Sequence, residues 1–269
     1  MTETTRTTRL VAVSLAAVVA TTLCLGGTTA FAQARTERLA DKDVKTLIDQ
    51  VDEGRDKFEG NLDGQFKGST IRNANGETKV AGALQDYQDS TQKLKSRFTA
   101  DYSASAEVTT VLKQSGAIDA FMQRQPATME GRSEWDRQAA NVKRLAEAYG
   151  ATFPLPDGAA VRRMNDKETS AAANSMGAAA DRVKSDIDKL PNPDKDAGKK
   201  EIELLIKQAG VVKSRTGDGQ PATNEMRQLV EQAGKVDAFI TAHPLPTMAN
   251  WQAVQASLVK LRQAFGLTQ

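Results

Sequence analysis

An internal repeat constrains the fold of this chain more than any other feature of the sequence. Gly116-Ala-Ile-Asp-Ala-Phe121 returns as Gly234-Lys-Val-Asp-Ala-Phe239, and each copy is followed by one of the only two tryptophans, Trp135 and Trp251. The match runs at a separation of 118 residues, which becomes 116 at the tryptophans. A segment that recurs at a fixed spacing indicates a structural unit. We therefore predict a tandem duplication of a unit of about a hundred residues.

The periodicity of the apolar residues predicts that both units are helical. Apolar side chains recur at intervals of three and four, as in Val80, Leu84 and Tyr87, and no long stretch alternates with period two. Short connections between helices favour antiparallel neighbours. We predict an all-α fold of about eight helices, arranged as two antiparallel four-helix bundles over residues 35–155 and 156–269. Whether the bundles share one core is left open.

Local signals set the expected ends of several helices. Ser105 and Ser133 are candidate N-caps of the third and fourth helices, and Gly150 is a candidate C-terminal stop. Pro154-Leu-Pro156-Asp-Gly158 is the expected linker between the units. Beyond this linker, the apolar stripe predicts a long helix that starts around Val161 and ends at Pro191.

The first 34 residues have the pattern of a secretory signal peptide. Arg6 and Arg9 form a basic segment, residues 10–25 are largely apolar, and Ala32-Gln-Ala34 is a small-x-small cleavage site. We predict cleavage after Ala34, with an alternative after Ala32, and a periplasmic or secreted protein. The apolar stretch is short for a membrane span. Because no later stretch is more apolar, we expect no transmembrane segment in the mature chain.

Charge and cysteine content narrow the classes of partner. Cleavage would remove the only cysteine, Cys24, so the mature chain is expected to fold without disulfides. It would carry 34 basic and 33 acidic residues, interspersed along the helices. Such a balance argues against a nucleic-acid partner, which requires a basic surface.

The repeated residues have a structural and a functional interpretation. Phe121, Phe239, Trp135 and Trp251 lie on apolar stripes, which favours core packing over an aromatic ligand cage. Gly116 and Gly234 fall in mid-helix, where glycine is costly, so we predict a close approach of a neighbouring helix at each. Asp119 and Asp237 are expected to pair with basic residues of their own unit rather than to hold a ligand. These eight residues, four in each unit, are predicted to form the packing seam of their bundle.

Few residues suggest catalysis or metal binding. His243 is the only histidine, and no nucleophile motif surrounds it. Asn192, Asp194, Asp196 and Glu203 have the spacing of calcium-loop ligands, but Ala197 replaces the required glycine and three lysines lie among them. We therefore expect no catalytic residues, no metal and no cofactor.

The repeated motif also carries a resemblance. A helix of the form Gly-x-Ile/Val-Asp-Ala-Phe, followed by Trp and then Leu-x-x-Ala-Tyr/Phe-Gly, resembles a group of uncharacterised secreted α-helical bacterial proteins. The second motif is read at Leu145 to Gly150 and at Leu261 to Gly266. The resemblance implies secretion and a helical fold, and it implies no activity.

These observations lead to three ranked expectations. The first is a non-catalytic binding or scaffolding protein of the bacterial envelope or extracellular space, whose partner is an unknown protein or envelope component. The second is a periplasmic carrier of a small molecule or anion that uses a groove between the two units. An enzyme of unrecognised type ranks third.

Overall fold

The computed structural model describes residues 37–73, 76–245 and 248–267, and the predicted signal peptide lies outside them. Within these residues the chain forms nine helices and one β-hairpin, so the predicted all-α fold is confirmed. The elements are α1 (Asp41–Asn61), α2 (Gly64–Lys67), β1 (Thr70–Asn73), β2 (Gly76–Lys79), α3 (Val80–Arg97), α4 (Ser105–Met122), α5 (Arg132–Ala148), α6 (Asp166–Ile187), α7 (Asp194–Gly217), α8 (Thr223–Ala242) and α9 (Ala249–Ala264).

The eight long helices form two bundles with the same order of neighbours. In the first bundle α1 packs against α3 and α5, and α4 packs against the same two helices. In the second bundle α6 packs against α7 and α9, and α8 contacts both of these. Sequential helices are thus spatial neighbours, and the last helix of each bundle returns to the first, as in up-and-down four-helix bundles.

Each bundle has its own hydrophobic core. The core of the first bundle centres on Phe58, Leu112 and Trp135, and that of the second on Met176, Leu205 and Trp251. All six side chains are essentially inaccessible to solvent. The sequence left open whether the bundles share one core, and the structure shows two separate cores.

The hairpin is the element that the sequence pattern did not predict. β1 and β2 pair antiparallel with Ile71 opposite Thr78, and the buried side chain of Ile71 joins the first core. Each strand has only four residues, which is too short for period-two alternation to stand out. The hairpin and α2 fill the connection between the first two long helices of the first bundle. In the second bundle a short turn over residues 188–193 makes this connection.

Three helix starts differ from the sequence prediction. Ser105 and Ser133 lie inside α4 and α5, whose N-cap positions are taken by Ala104 and Gly131, both with positive φ. The helix expected from Val161 begins instead at Asp166. There Asn165 and Glu168 form a reciprocal capping box with hydrogen bonds of 2.7 and 3.0 Å.

The segment before α6 has no regular secondary structure and belongs partly to the first bundle. Val161 is buried in the first core, although the sequence predicted it in the second unit. The division at residues 155 and 156 stays a prediction. No helix in the described ranges combines the length and apolar character that crossing a membrane requires.

Candidate functional site

The repeated aspartate and tryptophan are joined by a hydrogen bond in each bundle. Trp135 Nε1 donates to Asp119 Oδ1 at 2.9 Å, and Trp251 Nε1 donates to Asp237 Oδ1 at 2.7 Å. The basic partners expected from the sequence are not found for either aspartate among the described side chains. A buried indole N–H needs an acceptor, and the aspartate supplies it.

The repeated phenylalanines pack in their separate bundles. Phe121 is 4% exposed in the first core. Phe239 lies at the edge of the second core, where its ring stacks on His243 with a centroid distance of 4.6 Å. Because the two copies of the motif lie in different cores, they do not assemble into one site.

The predicted close approach at Gly116 and Gly234 is wrong. A Cβ added at Gly116 would meet only Pro154 Cβ at 3.9 Å, and at Gly234 no described atom outside its own helix segment would lie within 4 Å. The close approaches occur at other glycines. At Gly198 an added Cβ would come within 2.5 Å of the Phe239 ring, and at Gly54 it would overlap the side-chain amide of Gln138.

The residues that resemble a calcium loop are engaged otherwise. Asp194 and Asp196 lie in the first turn of α7, and Asp194 faces His243 Nε2 at 3.5 Å. Glu203 pairs with Lys184 at 2.6 Å. Across the part of the chain that the structure describes, no group of three potential ligands from histidine, cysteine, aspartate and glutamate could hold a metal ion.

Polar contacts between the bundles concentrate where α1 and α6 begin. Asp41 N donates to Asp166 Oδ2, and Asp166 N donates to Asp41 Oδ2, each at 2.9 Å. Each carboxylate thus satisfies a free N–H at the start of the other helix, where the helix dipole also favours negative charge. We call residues 38–41 and 163–166 the junction.

Two arginines complete the junction in the same reciprocal way. Arg163 pairs with Asp41 at 2.5 Å and donates to the Leu39 carbonyl at 2.8 Å. Arg38 pairs with Asp166 at 2.7 Å and donates to the Met164 carbonyl at 3.2 Å. Both arginine side chains are at most 5% exposed.

The junction therefore has approximate two-fold symmetry. Arginine and aspartate recur at the same positions of both segments, and residues 41 and 166 are separated by 125 positions. An isologous contact of this kind uses the same surface from both sides.

A large cleft opens beside the junction. It has a volume of about 870 Å³, which lies within the range of small-molecule sites. Both bundles line it, through the ends of α5 and α9, the junction arginines and the segment before α6. Its charged lining residues are Glu37, Arg38, Glu147, Arg162, Arg163, Glu168 and Arg262. We call it the junction cleft.

The ends of α5 and α9 enter the cleft with matching geometry. Gly150 and Gly266 adopt φ values of 67° and 64°, and these positive angles allow the chain to turn away from each helix. The preceding residues, Tyr149 and Phe265, are both buried. The Arg38 guanidinium lies 5.6 Å from the centroid of the Phe265 ring, a cation–π distance. The Tyr149 hydroxyl donates to the Ser103 carbonyl.

Burial shapes the electrostatics of the cleft wall. Burial and the nearby Arg163 guanidinium lower the pKa of Arg38, although Asp166 opposes this shift. Burial raises the pKa of the Tyr149 hydroxyl above its usual range. Arg38 Nε is buried without an acceptor among the described atoms. The wall thus holds a buried cation whose hydrogen-bonding capacity is incompletely used.

Comparison with known protein families, with curated proteins and with solved structures finds no match to this chain. The interpretation of the junction cleft therefore depends on its own geometry and charge.

A second polar cluster distinguishes the first core from the second. Gln138 Nε2 donates to the Val51 carbonyl at 2.8 Å and to the Tyr87 hydroxyl at 2.7 Å, and all of these groups are buried. Ser115 is also buried, and its hydroxyl donates to the Val111 carbonyl at 2.6 Å. The corresponding positions of the second bundle, at the separations of the repeat, are Val254, Leu205 and Ala233. The two bundles therefore share the same helix order, but their cores differ in polarity at these three positions.

Sequence reasoning missed the junction, although a signal was present. Arg38 and Asp41 recur as Arg163 and Asp166 in the pattern Arg-x-x-Asp. This short match lies upstream of the long repeat and at a different separation. The hairpin changes the spacing, so a single sequence offset could not align both regions.

Proposed function

We propose that this chain is an exported, non-catalytic binding protein that takes a small molecule in the junction cleft and acts in the bacterial envelope or extracellular space. The proposed binding site is the groove between the two units, which the second of the sequence expectations also used. One observation carries the proposal. A cleft of about 870 Å³ is lined by both bundles and has convergent charged groups beside an apolar surface.

The arginines and the tyrosine of the cleft wall are suited to binding more than to proton transfer. Arginine stays protonated at all ordinary pH values and so cannot act as a general base. The Tyr149 hydroxyl is buried, its raised pKa disfavours ionisation, and it is already bound to a backbone carbonyl.

We also infer that the two bundles arose by tandem duplication. The same helix order, the Trp–Asp hydrogen bond in each bundle and the matching glycine ends of α5 and α9 support this origin. On this view the cleft formed between two copies of one unit, at a surface that a single unit does not possess. The junction residues would have acquired their reciprocal contacts from a common ancestral segment.

A thermal-shift screen of the mature protein, residues 35–269, tests the proposed binding. Small-molecule metabolites extracted from the native envelope should contain fractions that raise Tm, because a ligand that binds only the folded state stabilises it. The variant Val259→Trp should abolish the shift, since Val259 lines the cleft and is 48% exposed. Val211→Trp is the matched control, because Val211 is 41% exposed on α7 and does not line the cleft.

The proposal fails if no fraction raises Tm, or if the shift is the same in Val259→Trp. Export has a separate test, in which the N-terminus of the native protein is sequenced after cell fractionation. We expect it to begin at Arg35 in the envelope or medium. Recovery of the uncleaved chain from the cytoplasm would contradict the predicted localisation.

A further inference from the structure

Four charged side chains of the junction cleft form no ion pair with any residue that the structure describes. Arg38 and Arg163 pair with aspartates, and Glu168 caps α6. The remaining charged lining residues are Glu37, Glu147, Arg162 and Arg262, and none forms an ion pair with another described residue. Within the described ranges, the cleft thus presents two acidic and two basic groups that lack an ionic partner.

The backbone symmetry of the junction is not matched by its charge. Glu37 directly precedes Arg38, and Arg162 directly precedes Arg163. Equivalent positions on the two sides of an approximately symmetric cleft therefore carry opposite charges. Glu147 and Gln263 also occupy corresponding positions near the ends of α5 and α9. A purely structural role in the symmetric junction does not require this difference.

An apolar surface lies in the same cleft. Val259 is 48% exposed there, and Phe265 and Leu267 contribute to the wall. A ligand that used this wall would bury apolar surface, which is the main source of affinity in most small-molecule sites. The charged groups would then orient the ligand rather than supply most of its binding free energy.

Resting on the proposed function, we propose that the ligand of the junction cleft is a zwitterion with an apolar body, of the size of a short peptide with free termini. Its carboxylate pairs with an arginine of the cleft, Arg162 or Arg262, and its ammonium group pairs with a glutamate, Glu37 or Glu147. A simple anion would face two glutamates that repel it, and a neutral ligand would desolvate four charges without pairing them. A zwitterion neutralises both sets. The cleft volume exceeds what a single amino acid needs.

Isothermal titration calorimetry of the mature protein with four versions of the tripeptide Gly-Leu-Gly tests this inference. The versions have free termini, an acetylated N-terminus, an amidated C-terminus, and both blocks. The free peptide should bind most tightly, and each single block should weaken binding by about tenfold, the loss expected for one charge-assisted contact. Free leucine is a fifth probe and should bind at least about tenfold more weakly than the free peptide, which separates a peptide from an amino-acid ligand.

Charge variants assign the two ends of the ligand. Arg162→Gln with Arg262→Gln should remove the preference for a free C-terminus and leave the preference for a free N-terminus. Glu37→Gln with Glu147→Gln should do the reverse. Lys207→Gln, at an exposed position on α7 away from the cleft, is the control and should bind like the wild type.

Each contrary outcome has a definite meaning. Equal binding of the free and doubly blocked peptides would overturn the zwitterion and leave a cleft that binds small molecules through its apolar wall. Tighter binding of the acetylated peptide would show an anion site instead. No binding of any version would overturn the inference. The proposed function would then stand or fall by the metabolite screen with Val259→Trp, which does not depend on ligand charge.

Discussion

Asp41 and Asp166 each accept the backbone N–H of the other residue, at 2.9 Å in both directions. Each carboxylate therefore acts as an N-terminal cap for a helix of the opposite bundle. Each also neutralises an arginine whose side chain is almost fully buried. Four residues thus link the two bundles through contacts that depend on one another.

Asp41→Ala is expected to destabilise the protein by about 2–4 kcal/mol. It removes a cap and leaves Arg163 buried without its partner, and breaking such a pair costs more than the pair contributes. In the double variant Asp41→Ala/Arg163→Met the loss should be smaller than the sum of the single losses, as measured by urea unfolding. Asp101→Ala is the control, because its pair with Lys167 is more than 70% exposed on both sides and should contribute little to stability. Additive losses at Asp41 and Arg163 would contradict this account.

The Trp–Asp hydrogen bond should contribute to stability in both bundles. Asp119→Ala and Asp237→Ala each leave an indole N–H without its acceptor, and we expect a loss of about 1–3 kcal/mol. Asp119→Asn and Asp237→Asn keep an acceptor oxygen and should cost less than the alanine variants. Urea unfolding followed by circular dichroism measures these differences. If the asparagine and alanine variants were equally destabilised, the hydrogen bond would not be the cause.

The glycines should respond to alanine in opposite directions. Gly234→Ala adds a Cβ in open space within a helix, so we expect stabilisation by about 0.5–1 kcal/mol. Gly198→Ala would press a Cβ against Phe239 and Ile187, and should destabilise by about 1–3 kcal/mol. Thermal unfolding of the two variants under one condition gives the comparison. A destabilised Gly234→Ala would restore a packing role for this repeated glycine.

Alkaline pH should destabilise the first bundle through Tyr87. Burial raises the pKa of Tyr87 to about 12, while an unfolded tyrosine titrates near pH 10. The unfolded state therefore loses this proton first, so the stability from the neutral hydroxyl is full below about pH 10 and is lost as pH rises toward about 12. The loss over this interval should be on the order of 2–3 kcal/mol.

Tyr87→Phe should flatten this part of the pH profile, measured by urea unfolding between about pH 9 and 12. Tyr102→Phe is the control, since Tyr102 is 40% exposed and lies outside the first core. Parallel profiles for the wild type and Tyr87→Phe would show that another group controls the alkaline loss. The variant also removes an acceptor for Gln138, so the profiles are compared by shape rather than by their absolute level.

The sequence predicted those features of the fold that depend on the local pattern of residues. The apolar stripes placed the long helices, and Gly150 ends α5 with the positive φ that its position required. Helix starts were less accurate, because Ser105 and Ser133 are good caps in isolation, whereas the chain reaches α4 and α5 through Ala104 and Gly131 with positive φ. Such backbone geometry is imposed by the tertiary path and leaves no periodic signal.

The candidate site could not be predicted, since it is made by contacts over long sequence distances. Arg38 and Asp166 are far apart in the chain, and the short Arg-x-x-Asp match around them does not by itself show that the two segments meet. The error at Gly234 has a related cause. A repeated mid-helix glycine suggests a packing constraint, but only the positions of neighbouring helices decide whether the space is filled. In this protein Gly198, which the repeat does not highlight, is the constrained position.

Each core contains one buried tryptophan, so each bundle has its own intrinsic fluorescent probe. Trp135 and Trp251 are almost completely shielded from solvent, so exposure of either on unfolding would shift its fluorescence emission to longer wavelength. With one tryptophan replaced by phenylalanine, the emission of the other follows a single bundle. Two such variants would show whether the bundles unfold as one cooperative unit or in succession, and how much of each bundle's stability is transmitted from its neighbour.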